Sequence, residues 1–448
     1  METKPSDVLM VLGDGPSLPS GLARIARELC AHIWDSPWCR HTHDSEGLLE
    51  LIQLGVDEPP YNLLNYPWRV IPLRPQRDWG GADLARLLAS PAFASKRVTL
   101  LTVYDPARCV ELLDRMADGE RQCDTLAGYF AVDAEGPLDR GGFGGPAAAA
   151  LKLYDHIAAY TGFGARVLRA SMEAGEVRDR ITVLPHGIEE HWFVEPPAGA
   201  CASLLRRAPA IGRWLDLDLH AVGCVATNQP RKDLNLLFST VGEIGKTRAI
   251  KMWLHTDFAI GPAWSIPELM ETYCGHMRGR VLVTTTYGWR AEDGANAVPW
   301  TDDELKVLYR ACKVTIAPGL GEGWGYPIVE SHACGVPVVG IDYAGGPELQ
   351  GPGEVFNWVR PNAWRREGPY LLERPVMEPH ALAGVVADQL SDPLSAVDRA
   401  RTQEHTRRWL WPLIWPQWDA WLRAITGRPV EGAPIVSAPI MSAPEGKE

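Results

Sequence analysis

The stretch Val314–Ile341, VTIAPGLGEGWGYPIVESHACGVPVVGI, admits few folds. Val314–Ala317 is a short run rich in β-branched residues, the mark of a buried strand. Pro318–Gly325 follows with four glycines, so its backbone can come close to a ligand. Pro327 suits the first turn of a helix, where its missing N–H costs nothing. The helix is expected to run to about Cys334. Gly335 stops it, Pro337 follows, and Val336–Ile341 returns as a second buried strand. The unit is strand, glycine loop, helix, strand, with the loop at the first strand's carboxyl end.

A helix N-terminus attracts phosphate through its free N–H groups and its dipole. Yet this loop carries a carboxylate, Glu322, and a second, Glu330, lies eight positions on, inside the helix. Acids beside an anion site point to a ligand with both phosphate and hydroxyls, and a sugar nucleotide has that character. Carboxylates accept hydrogen bonds from sugar and ribose hydroxyls, while the helix end holds the diphosphate.

The rest of the chain alternates strand and helix signals, as a parallel sheet requires. Val8–Leu12 reads as the first strand, followed by GDGPSLPSG and a helix with Leu22, Ile25, Ala26, Leu29 and Ile33 on one face. Arg69–Leu73, Val98–Val103 and Leu126–Val132 read as strands. Their carboxyl ends present Asp105 and Asp133, where ligands of open α/β sheets collect. Residues 152–168 read as helical up to a turn at Tyr160–Phe163. Ile181–Leu184 is a strand running into Pro185-His186-Gly187. Pro196–Ala200 is the best linker, with a short helix around Cys201–Leu215 behind it.

Strand Ala221–Thr227 opens a second series. Arg231 and Lys232 follow it, two adjacent cations suited to a diphosphate and to the charge that grows on a leaving group. Helix Leu234–Ile244, strands Ala249–Leu254 and Arg280–Thr285, and helix Asp302–Cys312, capped by Thr301, complete it. Residues 403–425 read as one helix with Trp411, Trp415, Trp418 and Leu422 on one face. Packing explains that face better than a membrane surface, because the polar side is not rich in lysine. From Gly427 the composition is that of a disordered tail.

Three lookalikes fail. Gly13-Asp14-Gly15 lacks the third glycine of a dinucleotide fingerprint, since Leu18 stands there. Gly242–Thr247 has the wrong spacing for a P-loop. His41-Thr42-His43-Asp44 carries metal-ligand types, but nothing nearby completes a site. A formal charge of −12 over 448 residues argues against broad electrostatic binding to nucleic acid or anionic membrane. Nine scattered cysteines favour a reducing cytoplasm. No apolar run reaches the roughly eighteen residues of a membrane helix.

EGWGYPIVESHACGVPVV closely resembles the EGFGLPxxEAMACGxPVV signature of retaining GT-B glycosyltransferases of family 4, the glycosyl transferases group 1. Trp324 stands where phenylalanine is usual and Tyr326 where leucine is usual. PHGIEEHWF at 185–193 resembles that family's PHGVDxxxF. YFAVDAEGPL resembles its YFPVDGxPL. The resemblance implies two Rossmann-like doubly wound parallel-sheet domains facing across a cleft. The first, residues 1–205 completed by the helix 403–425, presents the acceptor. The second, residues 206–402, binds a nucleoside diphosphate sugar, and 427–448 is a tail.

The resemblance also implies roles. Glu322 holds the transferred sugar, and Lys232, with Arg231 in place of an absent family arginine, stabilises the leaving diphosphate. Gly323, Trp324, Gly325, Tyr326, Glu330 and Val298 meet the donor, and the Gly21 backbone approaches its phosphate. Asp105, Asp133 and His186 are candidates to line the cleft or meet the acceptor; beside that reading stands helix or turn capping for the two aspartates and a plain hydrogen bond to backbone for His186. No metal and no other cofactor is expected. The acceptor stays open among glycan, lipid-linked sugar, small metabolite and, less in keeping with the charge, a modified nucleic-acid base. A peripheral membrane contact, a nucleotide-sugar isomerase or epimerase of the same fold, and an inactive sugar-nucleotide-binding protein are the alternatives.

Overall fold

The computed structural model describes residues 7–18, 20–39, 48–59, 65–75, 78–117, 123–173, 175–256, 264–285, 300–351 and 357–430. Two parallel sheets organise them. The first contains β1 (Val8–Asp14), β2 (Glu50–Val56), β3 (Arg69–Leu73), β4 (Val98–Tyr104), β5 (Thr125–Phe130), β6 (His156–Ala159) and β7 (Thr182–Val183). Their order is β3-β2-β1-β4-β5-β6-β7. The second contains β8 (His220–Val225), β9 (Ile250–Thr256), β10 (Val281–Thr285), β11 (Cys312–Ala317), β12 (Val338–Ile341) and β13 (Trp358–Val359), in the order β10-β9-β8-β11-β12-β13. The ladders of both sheets are parallel. Helices cover such sheets on both faces, so central strands are buried along their whole length rather than alternating. All seven residues of β4 and of β9 are buried.

In each sheet the strand order reverses once, between β1 and β4 in the first and between β8 and β11 in the second. At such a point neighbouring loops leave in opposite directions and open a crevice at the strands' carboxyl ends.

Contacts divide the chain into two units. One takes in residues up to His186, Glu367–Leu372 and the chain from Pro412. The other comprises Gly187–Arg366 and Glu373–Trp411. The division therefore precedes the proline-rich stretch at 196–200, which lies inside the second unit. The reason is local. Lys306 Nζ, buried, donates to His191 O at 2.6 Å, Ser203 Oγ to Glu304 Oε1 at 3.0 Å, and Arg310 Nη1 to Glu195 Oε1 at 2.5 Å. These bonds tie 191–203 to the helix Asp302–Ala311.

Three local readings change. Residues 152–168 hold a strand, β6, between the helices Gly145–Leu151 and Gly162–Ala170. Pairing with β5 and β7 overrides the helix preference of its alanines. The helix near 201–215 is two, Ala198–Arg207 and Pro209–Leu215, because Pro209 starts a new one. The stretch 403–425 is broken: Ala396–Thr406 ends, a tight turn Arg407–Trp409 intervenes, and Trp411–Ile425 begins.

The tryptophan face of Trp411–Ile425 packs inward. In the first unit Trp418 is fully buried, donates from Nε1 to Pro185 O at 3.0 Å and meets the Tyr129 ring edge-on at 4.5 Å. Trp38 Nε1 donates to Asp419 at 2.6 Å. No helix among the described residues is long and apolar enough to cross a membrane. The tail from 431 and the His41–Asp44 cluster lie outside the described residues.

Candidate functional site

The second sheet's reversal carries a charged centre. Lys232 ends a tight turn, Pro230–Lys232, just after β8, and Asp233 then caps the helix Leu234–Thr247 through Leu236 N. Glu322 lies on the glycine loop after β11. Lys232 Nζ donates to Glu322 Oε1 at 2.5 Å, and Arg231 Nη1 stands 3.7 Å from Glu322 Oε2. Arg231 also donates to Gly321 O at 3.3 Å, and its own carbonyl accepts from Leu320 N at 2.7 Å. The two loops are thus laced together by backbone and by charge. The lysine and glutamate side chains are only 12% and 17% exposed, so solvent screens the pair weakly.

Two glycines of the loop leave room for their neighbours. A β-carbon on Gly319 would stand 2.8 Å from Glu322 Oε1, and one on Gly325 would stand 2.8 Å from Ile328 Cδ1. Gly325 also has φ +95°, in the left-handed region, where it precedes the helix Tyr326–Ala333. The carbonyl of Glu322 accepts from Gly345 N at 2.9 Å, which anchors the loop from its far side. Lys232, Glu322, Gly325 and Pro327 line one pocket with Tyr309.

Glu330 is buried in that helix, and Tyr309 Oη donates to its Oε2 at 2.8 Å. Burial, then the charge of Glu330, pushes the Tyr309 phenol far up, so it stays a donor. Gly323 and Trp324 are buried, and Trp324 meets Trp409 edge-on at 5.1 Å. Tyr326 is buried as the helix's first residue. Asn228, where the family's arginine is absent, is buried and used structurally: its side chain exchanges two hydrogen bonds with the Trp264 backbone. His255, at the end of β9, bonds Thr284 Oγ1 through Nδ1 at 2.9 Å and lies 5.5 Å from the Trp300 ring. Burial holds its imidazole down at about 4. Val298 lies outside the described residues.

The first sheet's reversal is charged too. Asp14, the last residue of β1, accepts from Arg108 Nη1 at 2.9 Å and from Ser20 Oγ at 2.7 Å. Asp105, just after β4, stands 3.3 Å from Arg108 Nε and caps its backbone N–H at 3.0 Å. Burial, against the lowering by Arg108, raises the Asp105 carboxyl, and Asp133 adds to the rise. Gly21 opens the helix Gly21–Trp34, and the space beside its α-carbon is clear to 4 Å.

His186 is fully buried, and its Nε2 stands 3.2 Å from Glu28 Oε2. Its partner is a side chain of the first helix rather than backbone. Burial lowers the His186 imidazole; burial also raises Glu28, but Arg24 and the hydrogen bond with His186 outweigh it and hold that carboxyl far below the usual range.

Structure thus brings Glu322, Lys232 and Arg231 together and keeps Glu330 one helix turn away. It adds Tyr309, Asp14 and Arg108, which the sequence did not flag. Asp14 closes its strand, and Asp105 and Asp133 follow theirs; that shared position at a strand's carboxyl end was the available signal.

Both sheets and their reversals define the GT-B architecture. Residues 292–367, which contain the central signature, match the family model of glycosyl transferases group 1. The fold resembles sucrose-phosphate synthase from Thermosynechococcus elongatus, with TM-score 0.65 at 16% identity, covering 94% of this chain and 99% of that one. It also resembles HepE of Anabaena in complex with UDP and glucose, with TM-score 0.62 at 16% identity, covering 94% and 100%. In sequence the chain is 26% identical over 219 residues to a D-inositol 3-phosphate glycosyltransferase of Segniliparus rotundus, covering 47% of this chain and 44% of that one. The chain spans less than half the length of the curated relatives it matches.

Proposed function

We propose that the protein is a retaining glycosyltransferase that moves a sugar from a nucleoside diphosphate sugar to an acceptor hydroxyl. The observation that carries the reading is the Lys232–Glu322 pair, with Arg231 beside it, at the reversal of the second sheet. Transfer separates charge: the sugar's anomeric carbon becomes positive as the diphosphate oxygen leaves negative. A cation and an anion side by side match that separation, which neither alone would. Lys232 and Arg231 face the departing diphosphate, and Glu322 faces the sugar. The anomeric carbon–oxygen bond to phosphate breaks, the bond to the acceptor oxygen forms on the same face, and the acceptor's proton passes to the departing phosphate oxygen.

Glu330, fixed by Tyr309, accepts from ribose hydroxyls, and the backbone of Gly323–Gly325 meets the sugar and phosphate. Trp324 and Tyr326 shape the donor pocket. In this reading the cations supply the charge a metal would, and no metal is needed. The HepE complex with UDP and glucose supports a nucleotide-sugar donor. Nine free thiols fit a reducing, cytoplasmic setting.

The test is a panel of UDP-, GDP-, ADP- and TDP-sugars, scored for binding by thermal shift and for slow release of nucleoside diphosphate. A donor cleaved by the wild type and spared by Glu322→Ala supports the proposal. Binding of no sugar nucleotide by a folded sample sinks it, and conversion of a donor into an isomer without release of diphosphate replaces it with the isomerase reading.

A further inference from the structure

The carboxyl edge of the first sheet is unevenly charged. Asp14 from β1, Glu58 after β2, Asp105 after β4 and Asp133 after β5 all gather at that edge. Glu58 is buried and accepts from Ser17 N and Oγ at 3.0 and 2.8 Å in the loop after β1. Arg108 is committed twice, to Asp14 at 2.9 Å and Asp105 at 3.3 Å, and its guanidinium lies over the Trp79 ring at 4.2 Å. Arg27 donates to the Pro16 carbonyl on the same loop. Arg24 pairs with Glu28 and Arg166 with Glu135. Arg74 and Arg86 both pair with Asp83. Among the described residues named here, Asp14, Glu58, Asp105 and Asp133 outnumber Arg108 and Arg27 by four to two.

Phosphate would use the helix N-termini there, but the chain's own side chains hold them. Ser20 Oγ accepts from Ala23 N at 3.0 Å, and Asp105 Oδ1 from Arg108 N at 3.0 Å. A second, independent observation concerns Tyr104 and Tyr160. Both are buried, and their hydroxyls have no hydrogen-bond partner among the described residues. Both sit within the field of Asp14, Asp105 and Arg108: burial, then Asp14, raises the Tyr104 phenol, and burial, then Asp105, raises that of Tyr160. A buried phenol without a partner costs free energy until something accepts its proton.

We propose that this edge takes an uncharged polyhydroxylated acceptor and discriminates against a phosphorylated or carboxylated one. A polyol hydroxyl donates to a carboxylate and accepts from a phenol at once. A phosphate dianion offers no proton to the aspartates and meets an excess of like charge, because Arg108 is already committed to Asp14 and Asp105. The inference rests on the transferase reading, and it separates this chain from a relative whose name carries a phosphorylated acceptor, the D-inositol 3-phosphate glycosyltransferase.

The experiment has two stages. Donor hydrolysis without acceptor is measured first, on the full chain. Acceptor-stimulated release of nucleoside diphosphate is then measured for matched pairs: myo-inositol against its monophosphate, glucose against glucose phosphate, and fructose against fructose phosphate. The neutral member of at least one pair is expected to give kcat/KM about tenfold or more above its phosphorylated partner. The double variant Asp105→Asn, Asp133→Asn, checked for folding by circular dichroism, is expected to raise the KM for the neutral acceptor and shrink that ratio. Preference for a phosphorylated member, stimulation by no polyol, or an unchanged ratio in the folded variant overturns the inference. Absence of donor hydrolysis for every donor and acceptor falls on the transferase reading itself, and takes the inference with it.

Discussion

Replacing Glu322 by glutamine keeps the side chain's size and one acceptor oxygen but removes its charge. The backbone anchor from Gly345 N at 2.9 Å is untouched, so the loop should hold its path. Two electrostatic effects follow. The anomeric carbon loses its counter-charge in the transition state; a preorganised contact of that kind is worth about 2.7–4 kcal/mol, or a hundred- to thousandfold in kcat. At the same time Lys232 loses a carboxylate 2.5 Å away and turns fully to the diphosphate, with Arg231 freed from its 3.7 Å contact. Because Glu322 is 17% exposed, water replaces part of what is lost, and the low end of the range applies. The expected result is a fall of about a hundredfold in kcat with nucleoside diphosphate binding unchanged or tighter. Single-turnover kinetics at saturating donor measure the first, and titration calorimetry with the diphosphate measures the second. A variant with kcat within about threefold of wild type, or one whose loss lies wholly in diphosphate affinity, would refute the assignment of Glu322 to the sugar's charge.

Gly325→Ala forces an L-residue to φ +95° with its β-carbon 2.8 Å from Ile328 Cδ1. It is expected to cost about 1–3 kcal/mol in a urea melt of the second unit and to raise the donor KM. Tyr309→Phe removes the donor 2.8 Å from the buried Glu330 and should destabilise by about 1–3 kcal/mol, with a weaker grip on nucleoside relative to inorganic diphosphate in competition binding. For His255, burial depresses the folded imidazole from 6.5 to about 4. The unfolded chain therefore takes the proton first as pH falls. The neutral side chain's contribution is complete above 6.5 and is lost between 6.5 and 4, on the order of 3 kcal/mol. Denaturant melts across that window should show the loss in the wild type and a flatter profile in His255→Gln; parallel profiles would refute it.

Where the sequence was legible, one physical cause dominated. β1, β4 and β9 are buried on both faces, so an apolar run suffices to find them. The helix Asp302–Ala311 announces itself by a capping box between Thr301 and Glu304. β2 escaped notice because Gln53 interrupts it, buried and bonded to Trp68 Nε1 at 2.9 Å, a partner fifteen residues away. β6 is four residues long and half alanine, so only its neighbours make it a strand. Glu322 and Lys232 were readable singly from their loops. Their 2.5 Å contact was not, because it joins positions ninety residues apart through the adjacency of β8 and β11. Arg108 and Tyr309 stayed hidden for the same reason: each is an ordinary helix residue until a distant strand end or helix supplies its partner. Asn228 shows the converse, a position where the motif suggests chemistry and the structure records a buried staple.

From Pro412 on, the helix Trp411–Ile425 belongs to the unit that residues up to His186 build. Trp418 seals that unit against Tyr129 and Pro185, Asp419 receives Trp38, and Ile425 O accepts from Thr99 Oγ1 at 3.3 Å. On a ribosome, then, the half that emerges first waits longest. Its seven strands leave the exit tunnel with a tryptophan-sized vacancy, and the intervening half can complete its own core before the seal arrives. Chains truncated after Trp411, which keep the whole later unit and lack the seal, should consequently be cut by protease within the early half and spared in the later one, the reverse of the order of synthesis.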